Sequence, residues 1–552
     1  MNTTPRYDVI ILGGGLAGLT LALHLKQERP STSVLVIERK AHPVDEAAHK
    51  VGESSVEIGA GYFTSFLGLL PHFEQSQLPK LGLRYFFSGG DKRDLTTRTE
   101  LGGNVFFPTR SFQIDRGRFE NYLASEAVAR GVAFANPASV TAIDLAAQAD
   151  ADHRVDFMAG GEARSAVGRW VVDASGRAGL LKRKLQLAKK CGHQANAVWW
   201  RYDRHIKIDQ WSSDPAWQAQ NNDLGQRWLS TVHFMGPGYW VWFIPLGSGS
   251  HSVGIVADGK LHPFASMSSY DKALAWLAQH EPQCAQHLAG REGQLQDFLG
   301  LRDFSYSCRQ VYSPERWALA GEAGAFLDPF YSPGSDYIGM GNTFIAELVK
   351  RDLEGVPIAT HAAFFDRLYF TFFENHLTLY EDMMPLFGDA KVMSLKIIWD
   401  FAYYWAVPAS FFFHRRLTDL MAFAGARTAL DRSGVLNREM QQLFRSWHQC
   451  SGDIACTFID IPAIPFMHAL NRGLQDQLDG PGFSARLHDN LDLLERLAGE
   501  ILAFARGDNP ALAVPSLRAP SSVQPGPALL AGVLPRLAQS ADSAAAGTAG
   551  AP

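Results

Sequence analysis

The chain is poor in cysteine. Five occur in 552 residues, at positions 191, 284, 308, 450 and 456, with no CxxC pair and no histidines at ligand spacing. That scatter argues against a structural zinc, or any other protein-bound metal, and suits a reducing compartment. An excess of one charge is also missing. Lysine and arginine number 51 against 56 acidic residues, a net charge of -5 without a polybasic tract, which gives no support for a nucleic-acid partner. Long hydrophobic runs are absent too. The most apolar stretch, IIWDFAYYWAVPASFFF at 397–413, is interrupted by Asp400 and Pro408 and is slightly short for a membrane span. The opening MNTTPRYDVIILGGG enters a buried-strand pattern at once, leaving no room for a signal peptide. A soluble, cytoplasmic protein is expected, with peripheral membrane contact through the aromatic run left open.

What is present is an ordinary globular mix, 46% apolar and 19% charged, in a chain too long for one core. The first forty or so residues read strand, glycine loop, helix, strand. After a loop, FQIDRGRFENYLASEAVARGVAF predicts a strand end and an amphipathic helix with Phe119, Leu123 and Ala127 on one face. RWVVDASGRAGLL predicts a short buried strand opening into a glycine turn. From about 197 to 307 short strands dominate; then WALAGEAGAFLDPF brings back the strand-then-glycine pattern, followed by a helix. Helical, aromatic-rich sequence follows from about 356, and the last forty residues are rich in Ala, Pro and Ser. This predicts an α/β fold: a discontinuous nucleotide domain (1–196 and 308–355) interleaved with a β-rich substrate domain (197–307). A helical C-terminal domain (356–510) and a largely disordered tail (511–552) complete the expectation.

Gly13, Gly15 and Gly18 form GxGxxG directly after a strand and at the start of a helix, with Ala17 counted among the cofactor contacts. The glycines permit a tight turn and close approach of backbone to a pyrophosphate, while the helix N-terminus supplies N–H groups and positive dipole. Glu38, twenty residues beyond Gly18 at the end of the next strand, can accept a ribose hydroxyl. Only one such fingerprint is complete, so no separate NAD(P)H domain of the usual kind is expected.

DASGR (173–177) and GEAGAFLDP (321–329) resemble two motifs of FAD enzymes of the aromatic-hydroxylase superfold. The resemblance implies FAD, with Asp173 and an acid at Glu322 set against it; that family usually has Asp at the second position. Arg116, in DRGRFENYL, is similarly placed to a helix that touches the same cofactor. WVWFIP (240–245) matches the WxWxIP signature of the flavin-dependent halogenases, the family that includes the tryptophan halogenases. FLDPFYSPG (326–334) fits that family's FxxPxxSxG pattern, and VGESS (51–55), with Glu53, looks like its flavin-adjacent turn. What the resemblance implies is electrophilic chlorination or bromination of an electron-rich aromatic, as in secondary-metabolite biosynthesis. FAD, supplied reduced by a separate flavin reductase, oxidises chloride or bromide with oxygen, and hypohalous acid travels to a lysine beside the substrate. Trp240 and Trp242 then wall the flavin from the substrate, and Ser332 and Gly334 lie at the halide turn.

Lys80, in QLPKLGLRYFF, follows the Gly-Glu turn by the family's interval for the catalytic lysine and begins an apolar strand. Lys50, just before the turn, is the rival. Two departures stand out. Pro333, between Ser332 and Gly334, has no N–H for a halide. Tyr331 stands where tryptophan-specific members carry a glutamate, which points to a phenol, pyrrole or other aryl group, free or carrier-bound. The plainer readings are a core-packing tryptophan pair, a Ser-Pro-Gly turn and an exposed lysine. The competing functions are an FAD monooxygenase on this scaffold without halide chemistry, and a non-catalytic flavin-binding partner.

Overall fold

A computed structural model describes residues 4–46, 51–87, 90–148, 151–221, 225–517 and 526–540. The chain divides into two compact units, one of Met1–Leu78, Ile114–Gly192 and Phe304–Phe373, the other of Pro79–Gln113, His193–Asp303 and Glu374–Pro552.

The first unit is built on a sheet whose parallel part runs Ala133–Ala135, Val34–Ile37, Arg6–Leu12, Glu162–Asp173 and Trp317–Leu319. These strands read as continuous apolar runs because helices cover such sheets on both faces. Val9 to Leu12 and Val34 to Ile37 are all buried. Helix Leu16–Glu28 packs against Arg116–Ala129 and Gly334–Leu353. Phe119, Leu123 and Ala127 are buried on the inner stripe of Arg116–Ala129. The strand expected to be short is twelve residues long, Glu162–Asp173. Its first half pairs antiparallel with His153–Ala159 and its second half parallel with Arg6–Leu12. Exposed alternation in the first half hid it from a search for buried runs.

The second unit holds an eight-stranded sheet in the order Leu295–Leu301, Ala195–Tyr202, His251–Asp258, Tyr239–Pro245, Thr231–Gly236, Leu83–Phe87, Thr99–Gly102, Phe458–Asp460. One face carries Val232, Phe234, Val241, Phe243 and Val253, joined to a core that includes Trp200, Trp211, Trp217 and Trp276. Strand alternation sends Tyr85, His233, Trp240 and Trp242 to the other face.

The unit boundary after residue 373 differs from the expected 355, because helix Ala359–Leu377 begins within the first unit: Asp366 accepts the backbone N–H groups of Val311 and Tyr312. The segment 526–540 is also structured rather than a loose tail. Leu530 and Leu537 are fully buried, and Glu500 accepts the N–H groups of Leu529 and Leu530. Residues 541–552 and Lys50 lie outside the described residues. No described helix is long and apolar enough to cross a membrane. The aromatic run 397–413 is mostly interior, with Trp399, Trp405 and Phe411 buried.

Candidate functional site

The parallel register aligns the carboxyl ends of four strands: Leu12 beside Ile37 on one side and Asp173 on the other, with Leu319 beside Asp173. The glycine loop, Glu38, DASGR and GEAG therefore emerge at one edge, the crevice where open α/β sheets bind ligands. Gly13 sits at φ +115°, and a Cβ there would lie 2.4 Å from the Ala174 carbonyl oxygen. A Cβ on Gly18 would lie 2.0 Å from the Gly13 oxygen, whereas one on Gly15 would meet open space. The helix beginning at Leu16 has no side-chain cap on Gly15, so its first turn can serve an anion. Glu38 accepts the N–H groups of Gly14 and Lys40, each at 2.7 Å. Each carboxylate oxygen keeps a lone pair for a ribose hydroxyl. This loop and its acid fit the dinucleotide half of FAD. Ala17 anchors the same helix through its carbonyl, which accepts from Asn342 Nδ2 at 3.1 Å.

Asp173, expected to lie against the cofactor, is engaged by its own turn. It is 0% exposed, and its oxygens accept from Ser175 N and Oγ (3.0 and 2.6 Å) and Leu181 N (2.7 Å). These bonds shape the DASGR turn. Glu322 is half-buried; burial raises its pKa, with Arg177, Arg116 and Lys182 pulling the other way. These three cations, two of them missed by sequence reading, make this edge electropositive and suited to a phosphate-bearing ligand. Lys182 Nζ donates to Gly324 O at 3.1 Å and lies 4.0 Å from the Tyr306 ring centre. Lys182 falls on no motif, so only the packed structure reveals it.

Arg116 donates to Val51 O at 2.5 Å and to Glu120 at 2.8 Å, which holds the VGESS turn against its helix. Ser54 in that turn and Ser332 in the SPG loop meet through their hydroxyls at 2.9 Å. Gly59 N–H donates to Asp336 at 2.7 Å. The structure thus joins Glu53, which is buried, and its turn to the residues around Gly334. Ser54 and Asp336 were not identified from sequence. Ser332 takes a left-handed φ of 58° and spends its N–H on Pro329 O at 2.8 Å. With Pro333 lacking an N–H, backbone donors for an anion at this turn begin at Gly334, the first residue of a twenty-residue helix.

In the second unit, Trp240 and Trp242 are 2% and 5% exposed, with ring centres 5.5 Å apart. Trp242 lies flat over Gly254, where a Cβ would come within 2.2 Å of the indole, and its Nε1–H donates to Ser252 Oγ at 3.1 Å. His233 is 5.2 Å from Trp240 and stacks on Tyr85 at 4.7 Å. The pair is therefore fixed on the face opposite the unit's main apolar core. Lys80 ends the short strand Leu78–Lys80, which pairs with Ser111–Gln113, instead of beginning the strand Leu83–Phe87. It is only 2% exposed, so the exposed-lysine reading is excluded.

The tryptophan halogenase family matches residues 91–369, just over half of the chain, and an NAD(P)-binding Rossmann-like domain matches 11–73. The flavin-dependent halogenase chlA of Dictyostelium discoideum is 27% identical over 446 residues, covering 74% of this chain and 70% of that protein. The 1H-pyrrole-2-carbonyl-[peptidyl-carrier protein] brominase of Pseudoalteromonas luteoviolacea is 26% identical, over 64% of this chain and 80% of its own. Among solved structures, halogenase PltM in complex with phloroglucinol and FAD aligns with a TM-score of 0.64 at 15% identity, covering 89% of this chain and 96% of that one.

Proposed function

The chain belongs to the tryptophan halogenase family, whose chemistry is FAD-dependent halogenation, and from that premise we propose that its target is an electron-rich aryl group other than free tryptophan. Tyr331, in place of the acid carried by tryptophan-specific members, supports a phenol or pyrrole. The likeness to pyrrolyl-carrier halogenases supports a carrier-bound form of such a group. A single glycine fingerprint supports a separate flavin reductase as the source of reduced cofactor. Bound and reduced, FAD supplies with oxygen the oxidising equivalents that convert chloride or bromide to an electrophile.

The chain's own residues divide the remaining work. The glycine loop and Glu38 hold the dinucleotide half. Arg116, Arg177 and Lys182 balance negative charge near Glu322, and Gly334 opens the helix turn that receives halide. Trp240 and Trp242 exclude water and substrate from the oxidising chamber. Lys80 holds hypohalous acid by a hydrogen bond, or as a chloramine, beside the aryl carbon. The observation that carries this reading is the burial of Lys80 in the unit that also carries the fixed tryptophan pair. A lysine is rarely withdrawn from water without a task.

The test combines the protein with FAD, a flavin reductase, NADH, oxygen and bromide, and traps the product on a phenol. Halogenated phenol that disappears in Lys80→Ala, while NADH consumption continues, is the expected result. Hydroxylated phenol without halogen, or halogenation that persists in Lys80→Ala, overturns the reading.

A further inference from the structure

Two short basic runs, Lys182 to Lys184 and Lys189 to Lys190, are each too brief to read as a polybasic tract. The first unit folds them into one surface. Helix Leu180–Lys184 carries the first run, and the chain turns back at Leu187, whose N–H donates to Lys182 O at 2.9 Å. Strand Ala188–Lys190 carries the second run and pairs antiparallel with Tyr306–Cys308, which sets Lys190 opposite Tyr306. Arg309 joins them from the end of the partner strand, where its N–H donates to Leu187 O at 2.8 Å. Arg177, Arg183, Lys184, Lys189, Lys190 and Arg309 are all exposed. No acidic residue occurs from 174 to 202 or from 304 to 314. Among the described residues, Arg183, Lys184, Lys190 and Arg309 enter no ion pair. A face that served only solubility would intersperse both signs, whereas here cations are segregated in a chain of net charge -5.

The basic face is continuous with the crevice at the strand ends, and Tyr306 is the joint. Lys182 Nζ and the Arg177 guanidinium lie 4.0 and 5.2 Å from its ring centre, and its hydroxyl donates to Glu322 O at 2.7 Å. The turns on either side of this joint lie against the glycine loop. A Cβ on Gly13 would be 2.4 Å from Ala174 O, and one on Gly321 would be 3.0 Å from Ala17 Cβ. The carboxylates that act on Lys182 and Cys308 are Asp173, Glu322 and Asp366, too few to cancel the cations around them. The field of the exposed cations therefore opens on the phosphate crevice.

The pyrophosphate of FAD is anionic and the chain as a whole is acidic, so on average the protein repels its own cofactor. We propose that the face formed by Arg183, Lys184, Lys189, Lys190 and Arg309 is a capture surface for the phosphates of free FAD. It steers the dinucleotide toward the Gly13–Gly18 loop and speeds association, while the contacts of the bound state are made by the loop and its neighbours. The inference rests on the reading that reduced FAD arrives free from a separate reductase. Its test measures FAD association directly, so its failure leaves the halogenation reading standing.

The full chain, freed of flavin, is mixed with FAD in a stopped-flow instrument, and kon and koff are read from flavin fluorescence. Ionic strength is set with potassium acetate so that no halide enters. The patch variant combines Arg183→Glu, Lys184→Glu and Lys190→Glu, all at exposed positions. A control of the same total charge combines Lys260→Glu, Lys272→Glu and Arg427→Glu, exposed in the second unit. At about 20 mM salt the patch variant is expected to lose at least about tenfold in kon, with koff within about twofold of the parent. The difference is expected to vanish by about 500 mM, where the Debye length is only about 4 Å. The control keeps kon within about twofold of the parent. An unchanged kon in the patch variant, or an equal loss in the control, overturns the proposal. A loss carried by koff overturns it too, by making these residues contacts of the bound state. Normal kon with impaired NADH-driven turnover assigns the face to an acidic surface of the reductase and equally overturns it.

Discussion

Ser332 commits its N–H to Pro329 and Pro333 has none, so two of the three backbone donors expected at the halide turn are removed by local chemistry. Replacing Pro333 by glycine restores one donor at the mouth of the helix Gly334–Leu353. A hydrogen bond to an anion is worth about 1.5 kcal/mol or more, so Pro333→Gly is expected to lower the halide KM by about tenfold, measured by bromide dependence of turnover. An unchanged halide KM would place the anion elsewhere. Glu38→Ala removes the acceptor of two backbone N–H groups as well as the proposed ribose contact. Fluorescence titration is expected to show FAD binding at least about tenfold weaker, a loss of roughly 1.4 kcal/mol or more. At this scale the sequence was informative wherever a residue's task is local. The glycines and Glu38 were legible because a turn and a strand end dictate them. For Asp173 the motif alone did not reveal that the carboxylate accepts its own turn's N–H groups.

Helix Ala390–Tyr404 buries an ion pair, Lys396 with Asp400, at 1% and 4% exposure. Gln441 Nε2 adds a hydrogen bond to Asp400 at 2.8 Å. Burial lowers the Lys396 pKa and Asp400 opposes it, so the ammonium depends on its partner. Removing one member strands a charge in the interior, a penalty of about 3–5 kcal/mol. Lys396→Met is expected to destabilise by that order in urea denaturation. Lys396→Met with Asp400→Asn, which keeps an acceptor for Gln441, is expected to recover much of the loss. If the double variant is no more stable than the single one, charge stranding is not the cause. The sequence marked Asp400 only as an interruption of an apolar run. Its partner four residues earlier becomes meaningful once the helix is known to be buried on that side.

Three histidines give the whole molecule an acid-sensitive stability. Burial holds His72 and His280 at a pKa of about 4 and His376 at about 3, against an ordinary 6.5. As pH falls below 6.5 the unfolded chain takes up protons that the folded chain refuses, so unfolding becomes easier. The contribution of these rings is full above pH 6.5 and is lost progressively toward pH 4, at up to about 1.4 kcal/mol per pH unit for each. The urea midpoint is therefore expected to fall between pH 6.5 and pH 5, and a midpoint that rises would contradict the assignment. The raised carboxyls of Asp366, Asp460 and Glu322 bind protons earlier in the folded state and work against this trend, most strongly at the acid end.

The sequence alone determined the pieces whose physics is short-range: a strand–glycine–helix turn, an acid at the next strand end, and two indoles on one face of one strand. Tertiary structure decided what those pieces touch. Parallel register brought four distant strand ends to one edge, and pairing with Ser111–Gln113 set Lys80 within the second unit's buried structure. Periodicity reports which way a side chain points, but partners hundreds of residues away are chosen by packing, which no local pattern encodes.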